Sequence, residues 1–196
     1  MAPSVDAPFS PPHDGAAAAT SFDDHVHIQC FADAQFFASR LFMQCFGTDF
    51  PIPRENAGLP FATPSGDWRQ YVAFYRWPDE RLEAVGFCNW IRHDDVYLGG
   101  GMCVSPTFYR RLPKEQWNVC RARGGIAQML VETAFHELQD CVAWFGYCGD
   151  SKAYAVDIRA GFEPTRHPRL VAKWQRFLSD AKKSAIEDKV AAIGPF

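Results

Sequence analysis

Two arginines and two adjacent glycines, Arg121-Ala122-Arg123-Gly124-Gly125, stand directly before an apolar periodic run that opens with Ile126-Ala127. Such a junction aims several backbone N–H groups, and the positive end of a helix dipole, at one point. That chemistry suits the grip of an anion such as a phosphate. Alone it is a weak signal, because a glycine loop that merely starts a helix has the same look. Upstream, Gly99-Gly100-Gly101 interrupts an otherwise apolar strand-like run. Glycines cost a strand packing and entropy, and are tolerated where it bulges or where a ligand or second backbone comes close. Downstream, Asp150 to Phe162 reads as a capped helix, stopped by Gly161, directly after a strand. Other reactive groups have plainer readings. Cys103 as a nucleophile lacks an assignable His and acid partner. Glu132 and His136 sit one helical turn apart, a spacing that suits a metal. Without further ligands at known spacing they read as a solvated face, and no metal is expected.

The elements that must position these residues follow from periodicity. A short β-type run covers His25–Phe31, and Asp33 is placed to cap a helix through about Phe46, which Gly47 stops. Thr48–Gly66 is rich in Pro and Gly and reads as loop. Tyr71–Tyr75 and Leu82–Ile91 make a hairpin around Pro78–Arg81, and His93-Asp94-Asp95 turns the chain into a third strand, Val96–Val104. Thr107–Arg123 is a polar, basic connection. The helix after Gly125 puts Ile126, Met129, Leu130, Ala134 and Leu138 on one face and turns Gln128, Glu132 and His136 away. A strand over Val142–Cys148, a helix over Ser151–Ala160, strands near Phe162 and over Leu170–Phe177, and a weak helix over Ser179–Ala192 complete the order. The pattern predicts a mixed sheet with helices on its faces.

Bulk properties narrow the classes. The 196 residues are 47% hydrophobic and 22% charged, which fits one domain with a substantial core over 22–196, behind a disordered tail over 1–21. A net charge of −3 argues against a nucleic-acid partner. No run is long enough to span a bilayer, and the first 20 residues lack the basic and apolar segments of a signal peptide. The seven cysteines form no C-x-x-C pair and read as reduced, buried thiols in a cytoplasmic protein.

Together, Val104-Ser105-Pro106, the basic connection, Gly125-Ile126-Ala127 with Leu130, the next strand, Asp150-x-x-Ala153 and Ala160-Gly161-Phe162-Glu163-Pro164 resemble the GNAT superfamily of acetyl-CoA-dependent N-acetyltransferases. The specific part covers about Leu82–Thr165. The resemblance implies an α/β (α+β) fold: a mixed, mostly antiparallel sheet with helices on both faces and a splayed acyl-CoA cleft. It implies acetyl-CoA or another acyl-CoA as co-substrate, an amine acceptor (small molecule or peptide), and no membrane or nucleic acid. Relatives often pair through sheet edges or C-terminal strands, which leaves a homodimer open. The family's phosphate signature is Arg or Gln, two residues, Gly, one residue, then Gly or Ala. Gly125 and Ala127 fit its second half, but Ala122 holds the Arg/Gln position. The implied cofactor contacts are the amides of Gly124, Gly125, Ile126, Ala127 and Gln128, with Arg121 or Arg123 replacing the absent side chain. The strand backbone of Met102, Cys103 and Val104 would take the pantetheine arm, and Asp150 and Ala153 open the following helix. Where many members carry a Tyr this chain has Asp157, with Tyr154 one turn earlier as a substitute acid. For a base, Glu83, His93, Asp94, Asp95 and Tyr147 are candidates. The departures from the signature leave a second reading, a catalytically degenerate acyl-CoA-binding or sensing module.

Overall fold

Aromatic and β-branched residues cluster where the chain must pack on both faces of a sheet, and those clusters form its centre. A computed structural model describes residues 21–50 and 68–196 of the chain. All but Ser21 of the expected tail over 1–21 and most of the Thr48–Gly66 loop lie outside the described residues. The strands are β1 (Val26–Phe31), β2 (Trp68–Arg76), β3 (Leu82–His93), β4 (Val96–Val104), β5 (Ala143–Tyr147), β6 (Glu163–Pro164) and β7 (Leu170–Trp174). They form one sheet in the order β1-β2-β3-β4-β5-β7-β6. Every neighbouring pair is antiparallel except β4 with β5. A parallel neighbour needs a crossover. It is supplied by α3 (Pro106–Arg111), α4 (Lys114–Ala122) and α5 (Ile126–Glu137).

Helices cover both faces, as the resemblance implied. On one face Ile126, Leu130, Val131, Ala134 and Phe135 of α5 pack on Tyr71, Val85, Trp90 and Trp144, all buried. Complete burial of a Leu such as Leu130 is worth about 2 kcal/mol. Helix α6 (Ser151–Arg159) lies beside α5. On the other face Ala38, Leu41 and Phe42 of α2 (Gln35–Phe46) meet Val72, Phe74, Phe87 and Cys103. Beside them Val190 of α7 (Asp180–Ala191) meets Ile91, Leu98, Phe145 and Leu170. Gly86 lets α5 settle onto β3, since a Cβ there would stand 2.6 Å from Ile126 Cγ2. Among the described residues no helix is long and apolar enough to cross a membrane.

Several boundaries differ from expectation, each for a local reason. A four-residue helix, α1 (Phe22–His25), precedes β1. Asp33 is not the cap of α2. Ala34 holds that position, its N–H taken by the buried Gln70 side chain, while Asp33 Oδ1 accepts from the Gln35 amide. Gly47 ends α2 in the left-handed conformation, as expected. The polar, basic connection before Arg123 folds into two short helices. Pro106 starts α3, Pro113 starts α4, and Phe108 and Cys120 are each fully buried from it. Gln128 does not face solvent. It is 4% exposed, its Cβ and Cγ fill the space beside the side-chain-less Gly124, and its Nε2 donates to Glu132 at 2.8 Å. The last sheet strand stops at Trp174, and Phe177 beyond it is fully exposed.

Candidate active site

The glycine run in β4 breaks the sheet open. Strands β4 and β5 pair only from Val96↔Ala143 to Gly99↔Gly146. Beyond Gly99, β4 stays paired to β3 but, among the described residues, has no partner on its β5 side. The register on β3 runs from Cys88↔Met102 to Trp90↔Gly99, so Gly100 and Gly101 together oppose Asn89. This is a β-bulge, and it bends the strand away from its neighbour. Gly101 sits at φ 135°, a region that side chains disfavour. A Cβ on Gly100 would lie 2.8 Å from both Asn89 Nδ2 and Ile91 Cδ1. The gap is a cavity of about 270 Å³. Asn89, Trp90, Gly101 and Met102 line one wall, and Gly146, Asp150, Ala153 and Asp157 the other.

Asp157 is a half-buried carboxyl in the wall of this cleft. Helix α6 carries it. Asp150 caps that helix, its Oδ1 accepting from the amides of Lys152 (2.8 Å) and Ala153 (2.9 Å), which hold the Asp150 carboxyl below the usual aspartate range. Burial pushes the Asp157 carboxyl up to about 6, against the pull of a hydrogen bond from Cys148. Cys148 Sγ lies 3.1 Å from Asp157 Oδ2, and its own thiol is pushed up to about 12 by burial and by that carboxylate. The thiol therefore stays protonated and donates. Gly146 on β5 makes room, since a Cβ there would come within 3.0 Å of Asp157 Oδ2. Cys148 and Gly146 were not expected as site residues. Their role depends on β5 lying beside α6, which no local pattern announces.

The other catalytic candidates stand apart. Tyr154 is 41% exposed on α6 and does not line the cavity. Glu83 opens β3, where Arg111 (2.7 and 2.9 Å), Arg81 (2.9 Å) and Trp77 Nε1 (2.8 Å) all donate to it. Burial works to raise its carboxyl, but these donors prevail and hold it low. It is occupied in fastening α3 to the sheet and is not a cleft group. Asp94 pairs with Lys189 in the β3–β4 turn, which Asp95 shares, and His93 ends β3; none lines the cavity. Tyr147 does line it, its ring against Phe196. Cys103 packs its side chain into the α2 face of the core, and burial pushes its thiol far up, so it is no nucleophile.

The anion junction is built on two left-handed glycines, Gly124 (φ 82°) and Gly125 (φ 87°). Their N–H groups turn back to the carbonyls of Arg121 (3.0 Å) and Cys120 (2.9 Å), ending α4 before α5 begins. The Ile126 N–H donates to the Tyr109 hydroxyl at 3.1 Å. A Cβ on Gly125 would crowd that oxygen at 3.0 Å. The amides of Ala127 and Gln128 open the first turn, where a helix supplies no acceptor of its own. Tyr109 comes from α3 and went unrecognised in the sequence, because only the fold of the connection brings it there. Arg121 is exposed at the end of α4. Arg123 is engaged elsewhere, its Nη1 2.6 and 2.8 Å from the Asp23 carboxylate on α1. The strand backbone runs on from the bulge: Met102 lines the cavity, and the Val104 carbonyl accepts from Cys45 Sγ at 3.3 Å.

A mostly antiparallel sheet splayed at its one parallel joint, with a glycine bulge on one wall and a helix N-terminus behind it, is the fold of the GNAT N-acetyltransferases. The ribosomal-protein-S18-alanine N-acetyltransferase of Escherichia coli superposes with a TM-score of 0.50 at 14% identity, over 79% of this chain and 97% of that one. A GNAT family acetyltransferase from Brucella melitensis, solved in complex with acetyl-CoA, gives 0.45 at 14% identity, over 76% and 88%. The ribosomal-protein-S5-alanine acetyltransferase of Vibrio fischeri gives 0.44 at 11% identity, over 79% and 96%. No protein-family model and no curated protein matches the sequence. At these identities the likeness is one of fold.

Proposed function

We propose that this protein is an acyl-CoA-dependent N-acyltransferase that moves an acetyl group from acetyl-CoA to a primary amine. The observation that carries the proposal is Asp157, a carboxyl that burial pushes up to about 6, set in the wall of the β4–β5 splay opposite the bulge. In this reading the pyrophosphate sits on the Ala127 and Gln128 amides at the start of α5, with Ile126 and the glycines shaping the turn. Arg121 is exposed there to approach it, while Arg123 serves the α1 contact. The pantetheine arm lies along the unpaired edge of Met102–Val104 in place of the missing strand.

The amine nitrogen attacks the thioester carbon. Asp157, ionised above about pH 6, accepts its proton and returns one to the CoA sulfur as the C–S bond breaks. Saturating acetyl-CoA should raise the melting temperature, because a ligand bound only by the folded state stabilises it. No rise would refute the proposal. The exposure of Tyr154 and the occupation of Glu83 favour one rival, a binding module that retains the cleft without turnover. Free-thiol release in the presence of primary amines separates the two. Release that falls at least a hundredfold in Asp157→Asn supports the transferase, and binding without release supports the module.

A further inference from the structure

Among the described residues, Asn89 is the buried side chain left without a partner at both of its polar atoms. It is 1% exposed, yet among the described residues neither its Oδ1 nor its Nδ2 has a hydrogen-bond partner. A buried carboxamide with every bonding valence open is costly, and native proteins seldom keep one without a use. Its place is specific. Asn89 is the single β3 residue opposite the two bulge glycines, and it lines the cavity wall that faces Asp157. Gly100 packs against the amide, since a Cβ there would lie 2.8 Å from Nδ2. The bulge is also where the cleft begins, so a thioester held along Met102–Val104 ends beside it.

We propose that Asn89 is a catalytic residue that takes the acyl carbonyl: its Nδ2–H donates to the thioester oxygen across the bulge. The proposal rests on the acyl-CoA reading above. As the amine forms its C–N bond, the carbonyl π pair moves onto that oxygen, and a neutral donor fixed in a dry wall holds the charge. When the C–S bond breaks, the pair returns to the carbonyl, the sulfur leaves with the bonding electrons, and the proton that Asp157 took from nitrogen goes to sulfur. The acyl group ends on the amine and CoA leaves as a thiol.

The test needs no acceptor. Affinities for acetyl-CoA and for its carbonyl-free thioether analogue, S-ethyl-CoA, are measured by calorimetry on the full chain and on Asn89→Leu. The wild type should prefer acetyl-CoA by about fivefold to tenfold, the worth of one hydrogen bond. Asn89→Leu should lose that preference while its S-ethyl-CoA affinity stays the same, which also reports that the variant is folded. If it does not fold, Asn89→Ala removes the donor without adding bulk and takes its place. The infrared carbonyl stretch of bound [1-13C]acetyl-CoA should be lowered in the wild type and should return toward its free position in the variant. An unchanged preference and stretch in the variant, or no preference in the wild type, overturns the role of Asn89 alone. Failure of the wild type to bind either compound overturns the acyl-CoA reading with it.

Discussion

Replacing Asp157 by Asn should stabilise the protein, and more so at alkaline pH. Burial raises the Asp157 carboxyl from 3.8 to about 6 in the folded chain. A raised carboxyl means that the folded state holds its proton more tightly than the unfolded state. Below pH 3.8 the group costs nothing. As pH climbs from there through 6 the folded chain must bury a charge that the unfolded chain leaves in water, and the full cost, about 3 kcal/mol, is present above pH 7. At pH 5 about half of it has accrued. Asn keeps the shape, carries no charge and can still accept from Cys148. Urea denaturation of both proteins at pH 5 and pH 8, with equal m-values, isolates the effect, because every other titrating group cancels in the difference. Asp157→Asn should exceed the wild type at both values, with a margin wider by about 1–2 kcal/mol at pH 8. A margin that is equal at the two values, or wider at pH 5, would refute the burial argument and with it the near-neutral group on which the mechanism stands.

Three further outcomes follow from contacts described above. Cys148→Ala removes the donor that lowers the Asp157 carboxyl, so the pH at which thiol release reaches half its maximum should move upward, read from a pH–rate profile. Gly86→Val forces a methyl-bearing carbon against Ile126 Cγ2 (2.6 Å) and Leu130 Cδ1 (3.0 Å) and should cost about 1–3 kcal/mol in denaturant titration. Gly101→Ala must hold φ near 135° and press on Phe42 Cζ at 3.2 Å. Its cost should be about 1–3 kcal/mol in the same assay, with weakened acetyl-CoA binding by calorimetry.

Local pattern carried the strands and long helices well. The aromatic and β-branched run Tyr71–Tyr75, the turn at Asp94-Asp95 and the stop at Gly47 each follow from residue chemistry that acts over a few positions. The glycine junctions were legible for the same reason, since φ values of 82°, 87° and 90° at Gly124, Gly125 and Gly161 are demands of the backbone alone. The α3–α4 connection was not, because its helices are short and mixed in polarity and are fixed by the Arg111–Glu83 pair and by Phe108 in the core. Asn89, Tyr109 and Cys148 acquire meaning only from what the fold sets beside them. Arg123 shows the reverse: its charge beside the glycines suggested a phosphate, yet Asp23, a hundred residues away in the chain, takes it.

The four residue pairs that join β4 to β5 divide the sheet into two pieces of different provenance. One is the β1–β4 antiparallel meander, in which β2, β3 and β4 follow one another through short turns. The other is β5–β7, separated from the first by the whole crossover from Ser105 to Val142. Closing that long loop costs more entropy than closing a hairpin, so this joint must form across a wide separation in the chain. The cleft is the open end of the joint. A molecule that touches both walls acts as a clasp across it, and its protection of backbone amides from hydrogen exchange would reach β7, a strand that lines no part of the cavity.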